Sequence, residues 1–573
     1  MKASDFIADF LEKKGIKSVF ELSGGMITHL LDSISLRTNI NIVTMHHEQS
    51  AAFAADAYGR VTGLPGIALA TSGPGATNLL TGIGSCYFDS SPAIFITGQV
   101  NRHEQKGNKA IRQLGFQETD IVAMAKPITK ACFQIQNAEA IPNVFDEAFK
   151  IALEGRPGPV LIDIPMDVQR AQIESKPFID HQESYSTLLP ENEILNLIAE
   201  IQKAKKPLIL VGRGVKAAQC QFEFDQFVEQ TQVPVMSTLL AVDAIEYEHE
   251  LRVGFIGSYG NRWANIAFGE CDLLIVLGSR LDIRQTGADT KFIENRKIYH
   301  VDCEAGEINN RVKGCVPFLT DLKIFFKQFA ALSSKFEFSK PTEWLQYIND
   351  LRTQWPDTKE LDPVGINPNV FMCQLSEASE KAFAYLADVG SHQMWAAQSL
   401  RLRKDQFFIT SGGMGAMGFA LPAGIGACIA HENAPVVVIV GDGCMQINIQ
   451  EMQTIVRNKL PVKMVVMNNR SLGMIRQFQD SYFDSRYQST YWGYDAPDFE
   501  KVAVAYGIEA KTITAPEEIG QAVKWLWDND NSDMPLLLQV MIDTHTNTYP
   551  KIAFGKPLTE MEPFAKPIEM EGT

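Results

Sequence analysis

Short apolar runs bounded by turn residues recur in three groups along the 573-residue chain, with helical patterns between them. The runs lie at 67–72, 93–98 and 159–164, at 207–212, 273–278 and 297–302, and at 407–412, 436–443 and 462–469. Apolar runs of this length that alternate with helices are typical of parallel sheets covered on both faces. The sequence therefore predicts an α/β fold of three doubly wound, parallel-sheet domains.

Polar, proline-bearing stretches separate the three groups of runs. They lie at 171–192 and 355–368 and have the composition of linkers. We predict an N-terminal domain over 1–170, a central domain over 190–335 and a C-terminal domain over 366–550. This division agrees with the length, because 573 residues exceed what a single hydrophobic core supports.

The charge and the cysteines narrow the class of protein. A net charge of −16 argues against a non-specific surface for nucleic acid or an anionic membrane, although a local phosphate site needs only a metal ion and a few amides. The nine cysteines are scattered without a C-x-x-C pair, which suits free thiols in a reducing compartment. The chain begins with an amphipathic helix pattern, and no run approaches the ~18 apolar residues of a membrane span. We expect a cytoplasmic enzyme that binds neither nucleic acid nor membrane.

Two polar motifs follow neighbouring apolar strands in the third group. The strand at 436–441 delivers Gly441-Asp442-Gly443, and the strand at 462–468 delivers Asn468-Asn469. The carboxyl ends of parallel strands share one edge of the sheet, where ligands of open sheets bind. Carboxylate and amide oxygens suit Mg²⁺, and the following helix offers free amides to a phosphate. GDG alone could be an ordinary turn, but the asparagine pair makes a Mg²⁺-diphosphate site the better interpretation.

Two further signals are weaker. Glu48 lies between a strand and an alanine-rich helix, where a carboxylate in the first helical turn is common without any catalytic role. Gly212 and Gly214 follow a strand in a G-x-G-x-x-A arrangement that many α/β domains contain.

The segments that carry these residues resemble the acetolactate synthase family of thiamine-diphosphate enzymes. The resemblance runs through residues 47–60, 71–83, 96–100, 127–130, 155–165, 278–287, 300–304 and 411–415 and covers essentially the whole chain. It implies a pyrimidine-binding N-terminal domain, a central domain of the FAD-binding type and a diphosphate-binding C-terminal domain. It also implies thiamine diphosphate, Mg²⁺ and a structural FAD as cofactors, with a 2-keto acid as donor substrate.

The resemblance assigns roles to individual residues. The implied Mg²⁺ ligands are Asp442, Asn469 and the carbonyl of Ser471, and the implied catalytic residues are Glu48, Gln117 and Gly25. Glu48 would hydrogen-bond the aminopyrimidine, and Met414 would bend the cofactor. Besides Glu48, the implied thiamine-binding residues are Pro74, Asn78, Ser391, His392, Gly412, Met414, Gly441, Gly443, Cys444 and Met474. The implied FAD-binding residues are Arg156, Gly212, Gly214, Gly278, Arg280, Arg284 and Asp302. The family holds the two ends of thiamine diphosphate in different subunits, which implies a homodimer or homotetramer.

The sequence departs from the family where the second substrate would bind. Met166 replaces a lysine, Ser258 a methionine and Phe478 a tryptophan, and the run 112–116 before the retained Gln117 also differs. Arg284 keeps its place at the expected junction of flavin and substrate. Each change could be simple repacking. Together they predict a roomier acceptor pocket for a larger ketone such as a nucleotide-linked keto deoxysugar, as in the flavin-containing carboligases of branched-chain deoxysugar biosynthesis.

Three alternatives stay open. The first is acetolactate formation from two pyruvates, or from pyruvate and 2-ketobutyrate. The second is a flavin-redox pyruvate oxidase, against which the acetolactate-synthase-like FAD segment and Gln117 argue. The third is a non-enzymatic role, which the intact Glu48, Asp442 and Asn469 make improbable.

Overall fold

A computed structural model describes residues 1–174, 188–288, 296–528 and 531–568 of the protein. Over these residues it contains three six-stranded sheets and one two-stranded antiparallel sheet. Neighbouring strands in all three large sheets are parallel. The predicted α/β class with three doubly wound parallel sheets is confirmed. Most of the predicted linker at 171–192 lies outside the described residues.

The first sheet has its switch in strand order between β1 and β3. Its strands are β1 (Ser18–Leu22), β2 (Asn41–Thr44), β3 (Gly66–Ala70), β4 (Ala93–Gln99), β5 (Ala131–Gln134) and β6 (Pro159–Pro165). They lie in the order β2-β1-β3-β4-β6-β5. The accompanying helices are α1 (Ala3–Lys13), α2 (Thr28–Ser35), α3 (Glu48–Thr62), α4 (Pro74–Asn78), α5 (Leu80–Asp89), α6 (Ile121–Ala125), α7 (Ile141–Leu153) and α8 (Met166–Gln169).

The central sheet has its switch in strand order between its two middle strands. Its strands are β7 (Pro207–Val211), β8 (Val235–Ser237), β9 (Arg252–Phe255), β10 (Leu273–Leu277), β11 (Lys297–Asp302) and β12 (Val316–Leu319). The order β12-β11-β10-β7-β8-β9 places the switch between β10 and β7. The helices are α9 (Glu191–Lys203), α10 (Gly214–Ala217), α11 (Gln221–Thr231), α12 (Arg262–Glu270), α13 (Ile283–Thr286), α14 (Leu322–Ser333) and α15 (Thr342–Gln354).

The third sheet repeats the order of the first. Its strands are β13 (Ala384–Ala387), β14 (Phe407–Thr410), β15 (Val436–Gly441), β16 (Val462–Asn468), β17 (Glu509–Ile513) and β18 (Leu536–Met541). The order β14-β13-β15-β16-β18-β17 puts the switch between β13 and β15. The helices are α16 (Pro368–Ala378), α17 (Ser391–Ser399), α18 (Ala420–Ala430), α19 (Asp442–Ile447), α20 (Glu451–Arg457), α21 (Gly473–Tyr482), α22 (Phe499–Ala505) and α23 (Ile519–Trp525), and the small sheet pairs β19 (Lys551–Ile552) with β20 (Met561–Glu562).

The alternation of side chains along each strand buries both faces of a sheet. In β3, Ile67 and Leu69 enter one hydrophobic cluster, while Ala68 and Ala70 enter another. The second of these clusters continues into the third sheet through α3 and α18. These helices approach so closely that a Cβ on Gly426 would lie 2.0 Å from the carbonyl oxygen of Ala54. The N- and C-terminal sheets therefore share one core.

None of the helices in the described part of the chain combines the length and the apolarity that crossing a membrane requires.

Candidate active site

Polar residues of the N-terminal domain meet at the switch between β1 and β3. Gly25 begins a 3₁₀ turn after β1, and the next amide, that of Met26, donates to Thr71 Oγ1 at 3.3 Å. Thr71 follows β3 and precedes α4, which begins at Pro74. Ligands of doubly wound sheets bind where the order of strands reverses. Gly25 and Pro74 therefore border the crevice in which this topology favours a ligand.

Glu48 lies against the same crevice as the first residue of α3. The side chain of His47 caps this helix by accepting from the amide of Gln49. Glu48 is only 7 % exposed, and its Oε2 accepts from Asn78 Nδ2 at 2.9 Å. Its Oε1 lies 3.2 Å from a Cβ built on Gly75, so a side chain at that position would crowd the carboxylate. The fold thus holds a buried carboxylate at the start of α4.

Gln117 reaches the same region from a loop. Its backbone has a φ of 66°, a conformation that few non-glycine residues adopt. Its Cβ lies 3.0 Å from a Cβ built on Gly73, immediately before Pro74. The five residues predicted for this half of the site, Gly25, Glu48, Pro74, Asn78 and Gln117, thus lie around the same strand ends of the N-terminal sheet.

The C-terminal domain carries a second buried carboxylate at its own switch point. Asp442 directly follows Gly441, the last residue of β15, and is 2 % exposed. Its Oδ1 accepts from the amide of Gly443 at 3.0 Å, whereas its Oδ2 has no hydrogen-bond partner among the described residues. Asn469 directly follows the adjacent strand β16, and its Oδ1 accepts from the amide of Ser471 at 3.2 Å. Asp442 and Asn469 therefore occupy neighbouring strand ends, as predicted from the two motifs.

The burial and electrostatics of Asp442 suit a ligand of a cation. Burial raises the pKa of Asp442 to about 7, although the amide of Gly443 acts in the opposite direction. Buried polar atoms in native proteins are almost always hydrogen-bonded, so an unpartnered buried carboxylate oxygen needs an explanation. A hard divalent cation bound to this oxygen and to the neighbouring asparagine supplies one. The residues present fit Mg²⁺.

Hydrogen bonds to the backbone fix the strand ends around Asp442. Burial lowers the pKa of His392 to about 3, and the neutral ring accepts from the amide of Gly441 through Nε2 at 3.1 Å. The carboxylate of Asp388 accepts from the amides of Gly418 and Ala420, and the thiol of Cys444 donates to the carbonyl of Val389. Through these bonds, Asp388, His392 and Cys444 form a scaffold that holds the loops at the strand ends around Asp442.

Two features complete the pocket. The hydroxyls of Ser391 and Tyr494 are buried and, like Asp442 Oδ2, make no hydrogen bond of ordinary geometry to the described residues. Burial and the nearby Asp442 carboxylate raise the pKa of the Tyr494 hydroxyl. A Cβ on Gly443 would lie 2.8 Å from Leu472 Cδ2 and 3.2 Å from the Tyr494 hydroxyl, so the pocket requires glycine there. Tyr494 was missing from the predicted site, because no local motif marks a tyrosine that reaches Asp442 only through the tertiary fold.

Comparison with known proteins gives a family. Residues 1–124, 194–329 and 388–540 match the N-terminal TPP-binding, central and C-terminal TPP-binding domains of thiamine pyrophosphate enzymes. The acetolactate synthase isozyme 2 large subunit of Escherichia coli (strain K12) is 36 % identical over 561 residues, which cover 98 % of this chain and 99 % of the relative. A probable acetolactate synthase large subunit of Methanocaldococcus jannaschii is also 36 % identical, over 100 % and 96 % of the two chains. The chain belongs to the acetolactate synthase-like family of thiamine-diphosphate-dependent enzymes.

A third relative agrees with this assignment. The acetolactate synthase large subunit of Lactococcus lactis subsp. lactis (strain IL1403) is 35 % identical over 97 % of this chain and 95 % of its own. Proteins of this family carry out carboligase or transferase chemistry, so the predicted enzyme class is confirmed.

The loop 411–415 of this acetolactate synthase-like protein lies between its three domains. The amides of Gly412 and Gly413 donate to Asp89 in α5. The side chain of Met414 is 41 % exposed. Met474 lies in the first turn of α21, partly buried against the core of the C-terminal domain.

The predicted FAD-binding residues surround one cavity at the switch between β7 and β10. All seven line it, namely Arg156, Gly212, Gly214, Gly278, Arg280, Arg284 and Asp302. The glycines after the two strands are needed for close backbone packing, since a Cβ on Gly214 would lie 2.6 Å from the Cα of Gly278. The same cavity reaches Ser411, Gly412, Gly413 and Gly415. It therefore ends against the loop 411–415.

The cavity is rich in arginine. Arg156 forms ion pairs with Glu304 and Glu307, and Arg280 pairs with Asp282. Arg213 and Arg284 also line the cavity, and neither has a carboxylate within ion-pair distance in the described ranges. Four guanidinium groups beside apolar side chains suit a ligand with a diphosphate and a flat ring.

The substituted residues of the predicted acceptor region fall in two places. Ser258 donates its amide and hydroxyl to the carbonyl of Arg284, and its own carbonyl accepts from Ile552. Phe478 on α21 is 37 % exposed and packs on Tyr482, which contacts Phe554. The segment 551–554 thus joins these two positions. Met166 begins α8 at the end of β6, on the N-terminal sheet.

Proposed function

We propose that the protein decarboxylates pyruvate and joins the two-carbon unit to a second pyruvate, which gives acetolactate, with 2-ketobutyrate as an alternative acceptor. The relatives carry the name acetolactate synthase and align over nearly the whole chain. We call the residues around Glu48 and those around Asp442 the two half-sites. This reaction fits a carboligase in which both half-sites keep their polar residues.

The unpartnered Oδ2 of Asp442 carries this proposal. It lies in a buried pocket beside Asn469 and next to the amides that begin α19. We assign Asp442, Asn469 and the carbonyl of Ser471 to Mg²⁺. The scaffold formed by His392 and its neighbours holds the backbone on which these groups lie.

The chain's own residues account for the rest of the chemistry. When bound, thiamine diphosphate supplies the carbon nucleophile that attacks the 2-keto acid and takes up the electrons released with CO₂. Glu48 would hold and return a proton at the aminopyrimidine, and Asn78 orients its carboxylate. Gln117 and Gly25 border the space in which the donor keto acid would lie.

FAD fits the arginine-lined cavity of the central domain, and we propose that it binds there in a structural role. The residues that would hold its diphosphate are Arg280, Arg284 and Arg156, with the glycine turns after β7 and β10. Flavin absorbance of the purified protein at one equivalent per chain checks this assignment.

The oligomeric state belongs to the same proposal. We expect a homodimer or homotetramer in which Glu48 of one subunit faces the Asp442 pocket of another. In the described chain, Glu48 bonds to Asn78 of its own domain. Light scattering of the holoenzyme measures the state.

A second candidate acceptor is a larger ketone such as a nucleotide-linked keto deoxysugar. Ser258 and Phe478 favour it, because both are smaller than the residues that the family carries there, and the segment 551–554 joins them. Loss of large side chains from adjoining walls enlarges the space for an acceptor.

Competition between acceptors tests the proposal. Pyruvate is incubated with thiamine diphosphate, Mg²⁺ and FAD, alone, with 2-ketobutyrate, and with a nucleotide-linked 4-keto deoxysugar, and products are followed by proton NMR. We expect acetolactate, and acetohydroxybutyrate when 2-ketobutyrate is present. Slow self-condensation with efficient acylation of the sugar would favour the second candidate, and bleaching of the flavin by pyruvate would indicate an oxidase instead.

A further inference from the structure

Helix α5 of the N-terminal domain contacts the loop 411–415 at residues 411–414. The hydroxyls of Ser85 and Ser411 lie 3.5 Å apart. A Cβ on Gly84 would lie 3.2 Å from the Met414 Cε, so the methionine side chain packs directly over this helix. The central domain closes the other side, where a Cβ on Gly412 would lie 2.9 Å from Leu240.

A single carboxylate holds the two glycines of this loop. Asp89, the last residue of α5, accepts from the amide of Gly412 through Oδ2 at 3.0 Å and from the amide of Gly413 through Oδ1 at 2.6 Å. Its side chain is fully buried. Two consecutive amides on one buried carboxylate fix the direction of a glycine pair, which otherwise has wide backbone freedom.

Arg60 in α3 orients Asp89. It donates to Asp89 Oδ2 at 3.1 Å and to both carboxylate oxygens of Asp56, at 2.6 and 3.0 Å. It also donates to the carbonyl of Thr410, immediately before the loop, at 2.8 Å. The guanidinium therefore connects the carboxylate to the strand end from which the loop begins.

We propose that Asp89, oriented by Arg60, is a positioning residue that sets the place of Met414 and of the loop 411–415, which would hold the aminopyrimidine of the cofactor. The inference rests on the proposed function, in which this loop cradles the cofactor. Neither side chain touches the reacting atoms. A small displacement of a positioned group lowers a rate strongly, so a merely loosened loop would reduce turnover.

Asp89→Asn tests this role, because the amide keeps the volume but loses the charge and presents an N–H to one of its donors. We expect the dissociation constant for thiamine diphosphate to rise roughly tenfold and kcat to fall at least about tenfold. The KM for pyruvate should change less than about threefold, since the keto acid does not contact this junction. The near-ultraviolet circular dichroism of the bound cofactor should weaken.

Asp163→Asn is the matched control. Asp163 is a buried carboxylate in β6 of the same domain that accepts from Thr97 and Gln99, and no contact among the described residues links it to the loop. We expect its cofactor affinity and kcat to stay within about twofold of wild type. Equal, small effects of both variants would overturn the proposal and leave Asp89 a purely structural group.

Arg60→Lys covers the case in which Asp89→Asn does not fold. Lysine keeps the charge but loses the fork that spans Asp89, Asp56 and Thr410. Weaker cofactor binding and a weaker dichroic signal are expected, and wild-type values of both would overturn the proposal. Cofactor binding is measured without substrate, so it tests the role of Asp89 and Arg60 independently of the reaction. A wild-type protein that binds thiamine diphosphate but does not consume pyruvate would contradict the proposed reaction and leave the positioning role intact.

Discussion

Glu48 and Asp442 are both buried carboxylates at the switch points of similar sheets, yet their surroundings differ. Glu48 has a side-chain amide donor, Asn78, from the helix that faces it. Asp442 accepts from a backbone amide through one oxygen, whereas the other makes no hydrogen bond of ordinary geometry within the described part of the chain, although the Tyr494 hydroxyl lies nearby. The first arrangement orients a carboxylate for proton transfer, whereas the second leaves a lone pair for a cation. Glu48 follows the edge strand β2 and Asp442 follows the inner strand β15, so two carboxylates at different positions of similar sheets take different roles from their local partners.

The largest effect is expected at Glu48. Glu48→Gln keeps an acceptor for Asn78 but cannot exchange a proton at the cofactor, so turnover should fall roughly 100-fold or more. Affinity for thiamine diphosphate should stay within about threefold, because the diphosphate end is untouched. Pyruvate consumption and calorimetric cofactor binding measure the two effects. Near-normal turnover would contradict a proton-transfer role for Glu48, and with it the proposed difference from the cation-binding Asp442.

The next effect concerns Asp442. Asp442→Asn should weaken Mg²⁺-dependent binding of thiamine diphosphate roughly 10- to 100-fold, because the cation loses its charged ligand. The apo variant should be at least as stable as wild type, since an amide costs less to bury than an unpartnered carboxylate. Thermal unfolding with and without Mg²⁺ and cofactor measures both. Unchanged stabilisation by the cofactor would contradict the ligand assignment.

The sequence predicted the strand ends around these carboxylates well, since continuous apolar strands lead directly to Asp442 and Asn469. It did not predict that the helical stretch after Asp442 divides into α19 and α20, with Asn448 turning between them to donate to the carbonyl of Gly418. Partners that come from distant segments, such as Asp89 for the loop 411–415, leave no pattern along the chain. Strand periodicity is local, whereas hydrogen bonds across domains depend on the assembled fold.

A smaller effect is expected at Ser258 and Phe478, in the predicted acceptor region outside the two half-sites. Variants at these positions test whether they select the acceptor substrate. Restoring large side chains with Ser258→Met and Phe478→Trp should shift preference toward 2-ketobutyrate over pyruvate by roughly three- to tenfold. The ratio of acetohydroxybutyrate to acetolactate at equal acceptor concentrations measures it. Phe222→Tyr, a change on an exposed residue of the central domain, serves as the control. An unchanged ratio would show that these positions do not shape the acceptor pocket.

The smallest effect concerns Asp163, a third buried carboxylate that lies outside both half-sites. Burial raises its pKa from 3.8 to about 6, although Thr97, Gln99 and Gln134 donate to it. The folded state therefore binds this proton more tightly, and the contribution of Asp163 to stability falls as pH rises from about 4 to about 6. Relative to wild type, the free energy of unfolding of Asp163→Asn should therefore rise by about 1–3 kcal/mol between about pH 4 and pH 6. Urea unfolding at several pH values measures the slope, and parallel curves would contradict the shift.

Removal and return of the cofactors test the central claim most directly. The protein is stripped with a chelator and dialysed, then given pyruvate with Mg²⁺ alone, thiamine diphosphate alone, or both, with FAD throughout. Proton NMR follows the products. The account predicts acetolactate only when both are present and loss of that activity in Asp442→Asn. Equal pyruvate consumption without Mg²⁺ or without thiamine diphosphate would contradict it.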